Sequence, residues 1–508
     1  MKRILLTLFL LIAVTLPASA EMVGFEGGVI GDPTLKKNTY NYQEMLFLTG
    51  KPVKLSGTVT VPEPPEGKEA YTLQYSYSLI SEDETVELSR KVTVDITEAR
   101  NEAFRQTQYK AKISKYTETV SVDGVDYSLD GYLFTKTLLF DNTPAVDFFS
   151  GNLYGKRTYY IDGTPLKNKG KVVVETTGDT YIGYRHHWGA SNTAVIRHTL
   201  EGEVPNPSYT SGGTAPKSLR WDGLVTLKLS TTDRKTFEEY TNSPQSISFR
   251  SGIILNQKRE NIMQYQYDLP QWSTANLPLG TRAVGERNLR WDMQLDSESL
   301  LVPKYRDIGN HWGERAIFLM GSLKVFGNDS AFFSPDTPIT RGDFANAMAN
   351  ALTEIKPLTS SEKVKLKRDK TTAKLFEDIT VDDALYPVVK FVKDKGIMKG
   401  ENGYFLADRN LRRAEAIEIL VNSLGISHMA PASPFYTSYL DDAAIPGYAR
   451  NSVYMAKEIG LVTGFEDGYL RPNDMVTRAE AAALVEKFIN HIRQEINYDY
   501  RERIINSY

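Results

Sequence analysis

The 508-residue chain contains no cysteine. Disulfides, thiolate zinc sites and cysteine nucleophiles are therefore excluded, and stability rests on packing and polar bonding. Histidine is scarce: there are six, and the one grouping is His186-His187 with His198. Adjacent residues on a strand point to opposite faces, so this pair reads as packing and polar contact rather than as a metal site. An excess of charge of one sign is also missing. With a net charge of −3 and a pI of about 6.2, neither nucleic acid nor an anionic membrane is an expected partner. No Gly-x-Ser-x-Gly elbow, His-Glu-x-x-His helix or phosphate-binding glycine loop occurs, so no catalytic residue, metal or cofactor is assigned. Asp and Glu are plentiful, at 63, and a glycosidase-type carboxylate pair stays open as an alternative, although no pair is singled out.

Long apolar runs are nearly absent as well. The one at the start, Ile4 to Val14, follows Lys2-Arg3 and precedes Leu16-Pro17-Ala18-Ser19-Ala20. That is the pattern of a signal peptide over 1–20 with cleavage before Glu21, and it is too short for a comfortable membrane span. A retained anchor is the weaker alternative. The expectation is an exported chain whose mature part has no transmembrane segment.

What is present after residue 21 is period-two alternation. Tyr71 to Leu79 alternates apolar with polar, and Val86, Leu88, Val92, Val94 and Ile96 share one parity that Arg90 alone interrupts. Asp123-Gly124 and Asp130-Gly131 read as tight turns, and Asn101 to Gln108 as a short helical insertion. The turn cluster Asp141-Asn142-Thr143-Pro144 suggests a boundary, giving a β-rich domain over 21–145 and either a second β-rich domain or a continuation over 146–300. Short strands with turn punctuation favour an all-β, sandwich-like region. Alternation also fits an outer-membrane barrel, but the charged end from Tyr498 to Tyr508 is no closing apolar strand. The 29 Tyr and 21 Phe could stack on sugars, yet cross-strand aromatic pairs stabilise any sheet.

From Tyr305 to Ile492 one order of motifs occurs three times. The third copy has Tyr439-Leu440-Asp441, a helical segment, Gly460-Leu461-Val462-Thr463-Gly464, Tyr469-Leu470-Arg471-Pro472 and Val476-Thr477-Arg478-Ala479-Glu480. The first has Asp307, His311-Trp312, Gly327, Phe333-Ser334-Pro335 and Thr340-Arg341-Gly342-Asp343; the second has Asp378, Gly396 to Gly400, Tyr404-Phe405 and Arg412-Arg413-Ala414-Glu415. Arg341, Arg413 and Arg478 stand 72 and 65 residues apart, the spacing of helical units that bury their apolar faces on one another. Phe344, Met348, Ala351, Leu352 and Ile355 form the buried stripe of one such helix, and Leu484, Val485, Phe488, Ile489 and Ile492 that of another. Thr477-x-x-Glu480 is a capping box, and the free N–H groups of a helix start beside an arginine fork form a natural carboxylate site. The competing reading is an arginine that salt-bridges the next repeat.

These motifs resemble the S-layer homology (SLH) domain, over about two fifths of the chain. The resemblance implies an all-α-dominated three-repeat pseudo-trimer, with repeats at 303–355, 374–427 and 437–492 and a charged tail at 493–508. It further implies inter-repeat grooves that bind a secondary cell-wall polysaccharide attached to peptidoglycan, often one with pyruvate ketals. By position the glycan-binding candidates are Arg341, Arg413 and Arg478, with Asp307, Asp378, Asp441, Trp312, Tyr448, Gly327 and Gly464. Departures from the pattern rank Arg478 and Arg341 above Arg413: copy two has Arg412 where the capping threonine belongs and Ala384-Leu385 where the tryptophan belongs, as if mainly a spacer. The lysine-rich stretch 357–374 reads as a solvated linker, and Glu466-Asp467-Gly468 has too few carboxylates for a calcium loop. The expected function is an S-layer-type surface protein whose β half self-assembles laterally or displays a binding surface. The alternatives are a wall-anchored polysaccharide-active enzyme or an adhesin.

Overall fold

The computed structural model describes residues 27–65, 67–211, 214–240, 252–326, 330–368 and 373–494. The signal-peptide pattern, Gly327 and the charged tail beyond Gln494 lie outside them.

Thirteen strands follow one another from Gly28 to Ser299: β1 (Gly28–Pro33), β2 (Thr39–Leu46), β3 (Val53–Thr60), β4 (Ala70–Ser81), β5 (Val86–Asn101), β6 (Gln106–Val122), β7 (Val125–Asn142), β8 (Asp147–Ile161), β9 (Gly170–His186), β10 (Gly189–Pro205), β11 (Ser218–Tyr240), β12 (Gly252–Trp272) and β13 (Pro278–Ser299). Each pairs antiparallel with its sequence neighbour, so the sheet order is the chain order. Alternation dictates this. On β4, Leu73, Tyr75, Tyr77 and Leu79 are buried while Thr72, Gln74 and Ser78 are exposed; on β5, Val86 to Ile96 on one parity are buried while Glu87, Ser89 and Lys91 face water. A lipid-facing barrel would present its apolar side outward, and on these strands the outward side is polar.

The sheet rolls until its two ends meet. Asn261 of β12 donates to the Ile30 carbonyl of β1 at 2.8 Å, and the Trp291 indole of β13 donates to Asp32 at 3.1 Å. One continuous core runs from Val29 through Tyr159 and Val225 to Met293. The sandwich-like expectation is therefore replaced by a single rolled sheet. Residues 146–300 continue the sheet begun before 145, because the cluster at Asp141–Pro144 is a hairpin connection in which Asn142 pairs with Asp147. Residues 101–108 form no helix: β5 and β6 meet at a turn closed by Arg105 at φ 52°. Asp130-Gly131 lies within β7 at a register shift, whereas Asp123-Gly124 is a tight turn with both residues at positive φ.

The helical unit contains α1 (Glu314–Ser322), α2 (Arg341–Leu352), α3 (Ser360–Arg368), α4 (Tyr386–Asp394), α5 (Arg413–Leu424), α6 (Arg450–Glu458) and α7 (Arg478–Gln494). The expected stripes on α2 and α7 are buried, with Phe344, Met348, Val485 and Phe488 at 0% exposure, except that α2 ends at Leu352 and leaves Ile355 beyond it, half-buried. The lysine-rich linker carries α3, which buries no residue. The second helix of each repeat packs on the first helix of the next: α2 on α4, α5 on α6, and α7 back on α1. At the centre Ile339 donates its amide to Val476, Val476 to Leu411, and Leu411 to Ile339, each at 2.8–2.9 Å. This closed ring of backbone bonds makes the three repeats a pseudo-trimer.

The two units share a core. Ala145, Val146, Phe148, Trp188 and Ile253 of the sheet join the helical cluster. The Trp188 indole donates to the Ala351 carbonyl at 2.8 Å, and the Ala145 amide to Ser423 at 2.9 Å.

Candidate functional site: the seams between repeats

Each seam is built from the same parts. A carboxylate from the start of one repeat, Asp307, Asp378 or Asp441, accepts two successive backbone N–H groups: Phe333 and Ser334, Phe405 and Leu406, Leu470 and Arg471, at 2.6–2.9 Å. The second residue of each pair, Ser334, Leu406 or Arg471, is held at φ 58–60°. A non-glycine residue pays roughly 1–2 kcal/mol in that left-handed region, and two hydrogen bonds to a charged acceptor offset it. The three aspartates are thus clamps that shape the seam. Burial alone would push the Asp307 carboxyl up; the Phe333 and Ser334 amides and the Arg478 charge hold it below its ordinary value.

The arginines cross the seams cyclically. Arg478 of repeat three donates from Nε to the Phe333 carbonyl at 2.8 Å, lies 4.9 Å from the Phe333 ring and pairs with Asp343 at 3.1 Å. Arg341 donates to the Phe405 and Lys399 carbonyls at 3.2 and 2.9 Å, with Glu415 at 3.9 Å. Arg413 pairs with Glu480 and lies 4.5 Å from the Phe465 ring. Every guanidinium therefore meets the aromatic and the acidic helix-start residue of the following repeat. Accessibility separates them: the side chains of Arg341 and Arg413 are 10% and 12% exposed and that of Arg478 is 22%. Burial lowers the pKa of Arg341, partly opposed by Glu415.

The expected anion site at the helix start is corrected by the backbone. The amides of Arg341 and Gly342 donate to Arg409 and Ala407, those of Arg413 and Ala414 to Asp474 and Pro472, and those of Arg478 and Ala479 to Thr337 and Pro335. Neighbouring repeats consume the N–H groups that an isolated helix would leave free. The capping box is complete in repeat three, where Thr477 and Glu480 bond reciprocally at 3.0 and 3.2 Å. In repeat one Thr340 accepts from Asp343, and in repeat two Glu415 reaches back to the Arg412 amide.

Exposed aromatics line the rims. Trp312 is 66% exposed at the entry to α1, where the next residue, Gly313, lies against Ala479 of α7, and Tyr448 is 54% exposed near α5. Leu385 fills the matching place in repeat two, against Gly342. Gly464 has φ +80°, and a Cβ there would come within 2.7 Å of Tyr439. Phe465, Asp343 and Glu480 were not singled out as site residues. The acids were signalled by their equivalent places two residues after each arginine, whereas Phe465 departs from the repeat pattern and left no signal.

Elsewhere, burial pushes His186 down to about 3 and His187 to about 4, so both are neutral at the β9–β10 turn. His198 is buried on β10 against Thr176. Asp467 pairs with Arg471. Among the described residues no group of three or more His, Asp or Glu could hold a metal ion, and no helix is long and apolar enough to cross a membrane.

Residues 304–345, 375–417 and 438–482 match the S-layer homology domain. The chain is similar to an amylopullulanase of Thermoanaerobacterium thermosulfurigenes, 25% identical over 36% of this chain and 9% of that protein. It is similar to a surface layer protein of Brevibacillus choshinensis, 31% identical over 22% of this chain and 10% of that protein. An S-layer protein of Bacillus thuringiensis subsp. finitimus is 25% identical over 35% of this chain and 20% of that protein. The chain thus spans a fifth or less of the length of these three relatives. With the closed three-repeat seam, these matches show three S-layer homology domains between residues 304 and 482, and with the S-layer relatives they indicate an exported protein of the cell wall or surface.

Proposed function

We propose that the helical unit anchors the chain noncovalently to an acidic secondary cell-wall polysaccharide, leaving the rolled sheet displayed outward. The observation that carries this reading is the first seam, where Arg478 of repeat three reaches the Phe333 carbonyl and the half-exposed Asp343 of repeat one, Asp307 fixes the Phe333–Ser334 turn, and Trp312 of the same repeat is exposed. A sugar ring stacks on the indole while its carboxylate displaces Asp343 from the guanidinium. The third seam offers Tyr448 in the same role, and the second, without an aromatic, contributes least. Each charge-assisted bond supplies roughly 1.5–3 kcal/mol. Linked sites on one rigid body raise apparent affinity about 10²- to 10⁴-fold. A pyruvate ketal provides a carboxylate of the right kind.

The sheet, in this reading, carries no catalysis and serves lateral assembly or display. Its buried carboxylates Glu44 and Glu118 both hold Arg90 and are closed to solvent. The second reading, a wall-anchored polysaccharide-active enzyme, draws on a relative named as an amylopullulanase, matched through the repeats. Co-sedimentation with intact walls and with walls stripped of their secondary polymer tests the anchor. Equal binding to both would remove it. Hydrolysis of wall glycans by the purified chain would replace the first reading of the sheet with the second.

A further inference from the structure

A cavity of about 920 Å³ lies where the rolled sheet meets the second repeat. That is in the upper part of the range, roughly 300–1,000 Å³, occupied by small-molecule sites. Its floor is the inward face of β4 to β6, with Tyr75 and Tyr109, and its roof is α4, with Tyr386 and Phe391. Asn142 and Thr107 present amide and hydroxyl groups, already ordered by a 2.7 Å bond between them.

The charges are unbalanced once internal pairs are removed. Arg185 pairs with Asp147, Lys390 pairs with Asp394, and Glu98 accepts from the Tyr71 hydroxyl. The bond from the neutral Tyr71 hydroxyl leaves Glu98 charged, so Arg100, Arg105 and Lys395 stand against Glu98 and Glu102 among the charged lining residues. Arg105 packs against Gly396, so the β5–β6 turn brings its guanidinium beside the end of α4 and Lys395.

We propose that the junction cavity is a saccharide site separate from the seams, and that it takes a short acidic oligosaccharide. The half-buried rings of Tyr71 and Phe391 accept the C–H side of a sugar ring, amide and hydroxyl groups exchange hydrogen bonds with its hydroxyls, and Arg100 or Arg105 takes a carboxylate in fork geometry. Occupancy bridges the sheet and the second repeat, because the walls come from both.

The test is calorimetric titration of the full chain with trigalacturonate, maltotriose and inorganic phosphate. Saturable binding of trigalacturonate is expected, at least tenfold tighter than either of the others. The Arg100→Gln/Arg105→Asn variant should weaken it at least tenfold with an unchanged melting temperature, asparagine being chosen because it tolerates positive φ at 105. Arg478→Ala should remove only a weaker component at the seam and leave the binding that depends on Arg100 and Arg105 in place. Hydrogen exchange on the unmodified chain gives a second readout: trigalacturonate should protect residues 102–105 and 390–395. No saturable binding, equal binding of maltotriose or phosphate, or loss with Arg478→Ala but not with the double variant would overturn the proposal. Wall sedimentation reports on the seams and is independent of each of these results.

Discussion

The Arg478 guanidinium and the Asp343 carboxylate meet 3.1 Å apart across the seam that closes the third repeat onto the first. Asp343 is 54% exposed, whereas the corresponding acids Glu415 and Glu480 are 13% and 21% exposed. An ion pair this open to water contributes roughly 0–1 kcal/mol, so an incoming carboxylate can displace it at little cost. Arg478→Ala is expected to reduce wall co-sedimentation at least tenfold while lowering stability by about 1–2 kcal/mol, chiefly through the lost bond to the Phe333 carbonyl. Arg341→Ala should do the reverse, removing two backbone hydrogen bonds from a closed seam and costing roughly 2–3 kcal/mol. Denaturant melts beside sedimentation distinguish the two; equal effects of both variants on sedimentation would contradict the division of roles.

Arg90 interrupts the apolar parity of β5 because it is the centre of a buried network. It is 1% exposed, bonds Glu44 at 2.9 Å and Glu118 at 2.6 Å, and Glu118 also accepts from Tyr159 at 2.8 Å. Removing one partner of a buried pair leaves charge without compensation, at a cost of about 3–5 kcal/mol. Arg90→Met should lower stability by that amount near pH 7. The stranded carboxyls then have pKa values raised by burial, so the deficit is present above the folded values and shrinks as pH falls toward about 4. Glu44→Leu/Arg90→Met/Glu118→Leu should recover most of the loss, read by chemical denaturation. A triple variant less stable than the single one would show that the carboxylates hold the sheet by bonds other than those to Arg90.

What was legible in the residues was local. The three motif copies, the helix stripes apart from Ile355, and the alternation of β4 and β5 depend on periods of a few residues and are where they were expected. Arg90 on the wrong parity was visible as an oddity, but its partners lie on β2 and β6, and no short-range pattern names them. Asp141 to Pro144 has turn composition, which marks a chain reversal equally well inside one sheet and between two. The roll that brings β1 against β13 is a long-range closure and left the sandwich as the default. The same holds in the seams: Thr477-x-x-Glu480 predicts its own cap, but only closure of the ring puts the Thr337 and Pro335 carbonyls on the α7 amides.

Trp188 fastens the sheet to the repeats. It is 4% exposed, packs edge-on against Phe237 at 5.6 Å and donates to the Ala351 carbonyl at the end of α2. Trp188→Ala should cost roughly 3–5 kcal/mol and loosen the junction before either core. Limited proteolysis is expected to release a helical fragment beginning near residue 300 from the variant under conditions that leave the unmodified chain intact. Uniform degradation without that fragment would mean that the two units unfold as one.

The same turn makes the junction sensitive to acid. His186 stacks on Tyr184 at 5.5 Å and accepts the Trp188 amide on Nδ1 at 3.2 Å, and burial with the neighbouring charges of His187, Lys235 and Arg493 pushes its pKa down to about 3. His187, pushed down to about 4 by burial and Lys235, sits edge-on to Trp188. An unfolded histidine titrates near 6.5, so the unfolded chain binds these protons first. The stability from keeping both neutral is therefore complete above about pH 6.5 and is lost as pH falls through the range down to about 4 and then 3. At pH 5 the loss should be on the order of 1–2 kcal/mol per histidine. Replacing His186 by Asn, which keeps an acceptor for the Trp188 amide and cannot be protonated, should flatten the fall in melting temperature between pH 6.5 and 4.5. An undiminished slope in that variant would assign the acid sensitivity to other groups.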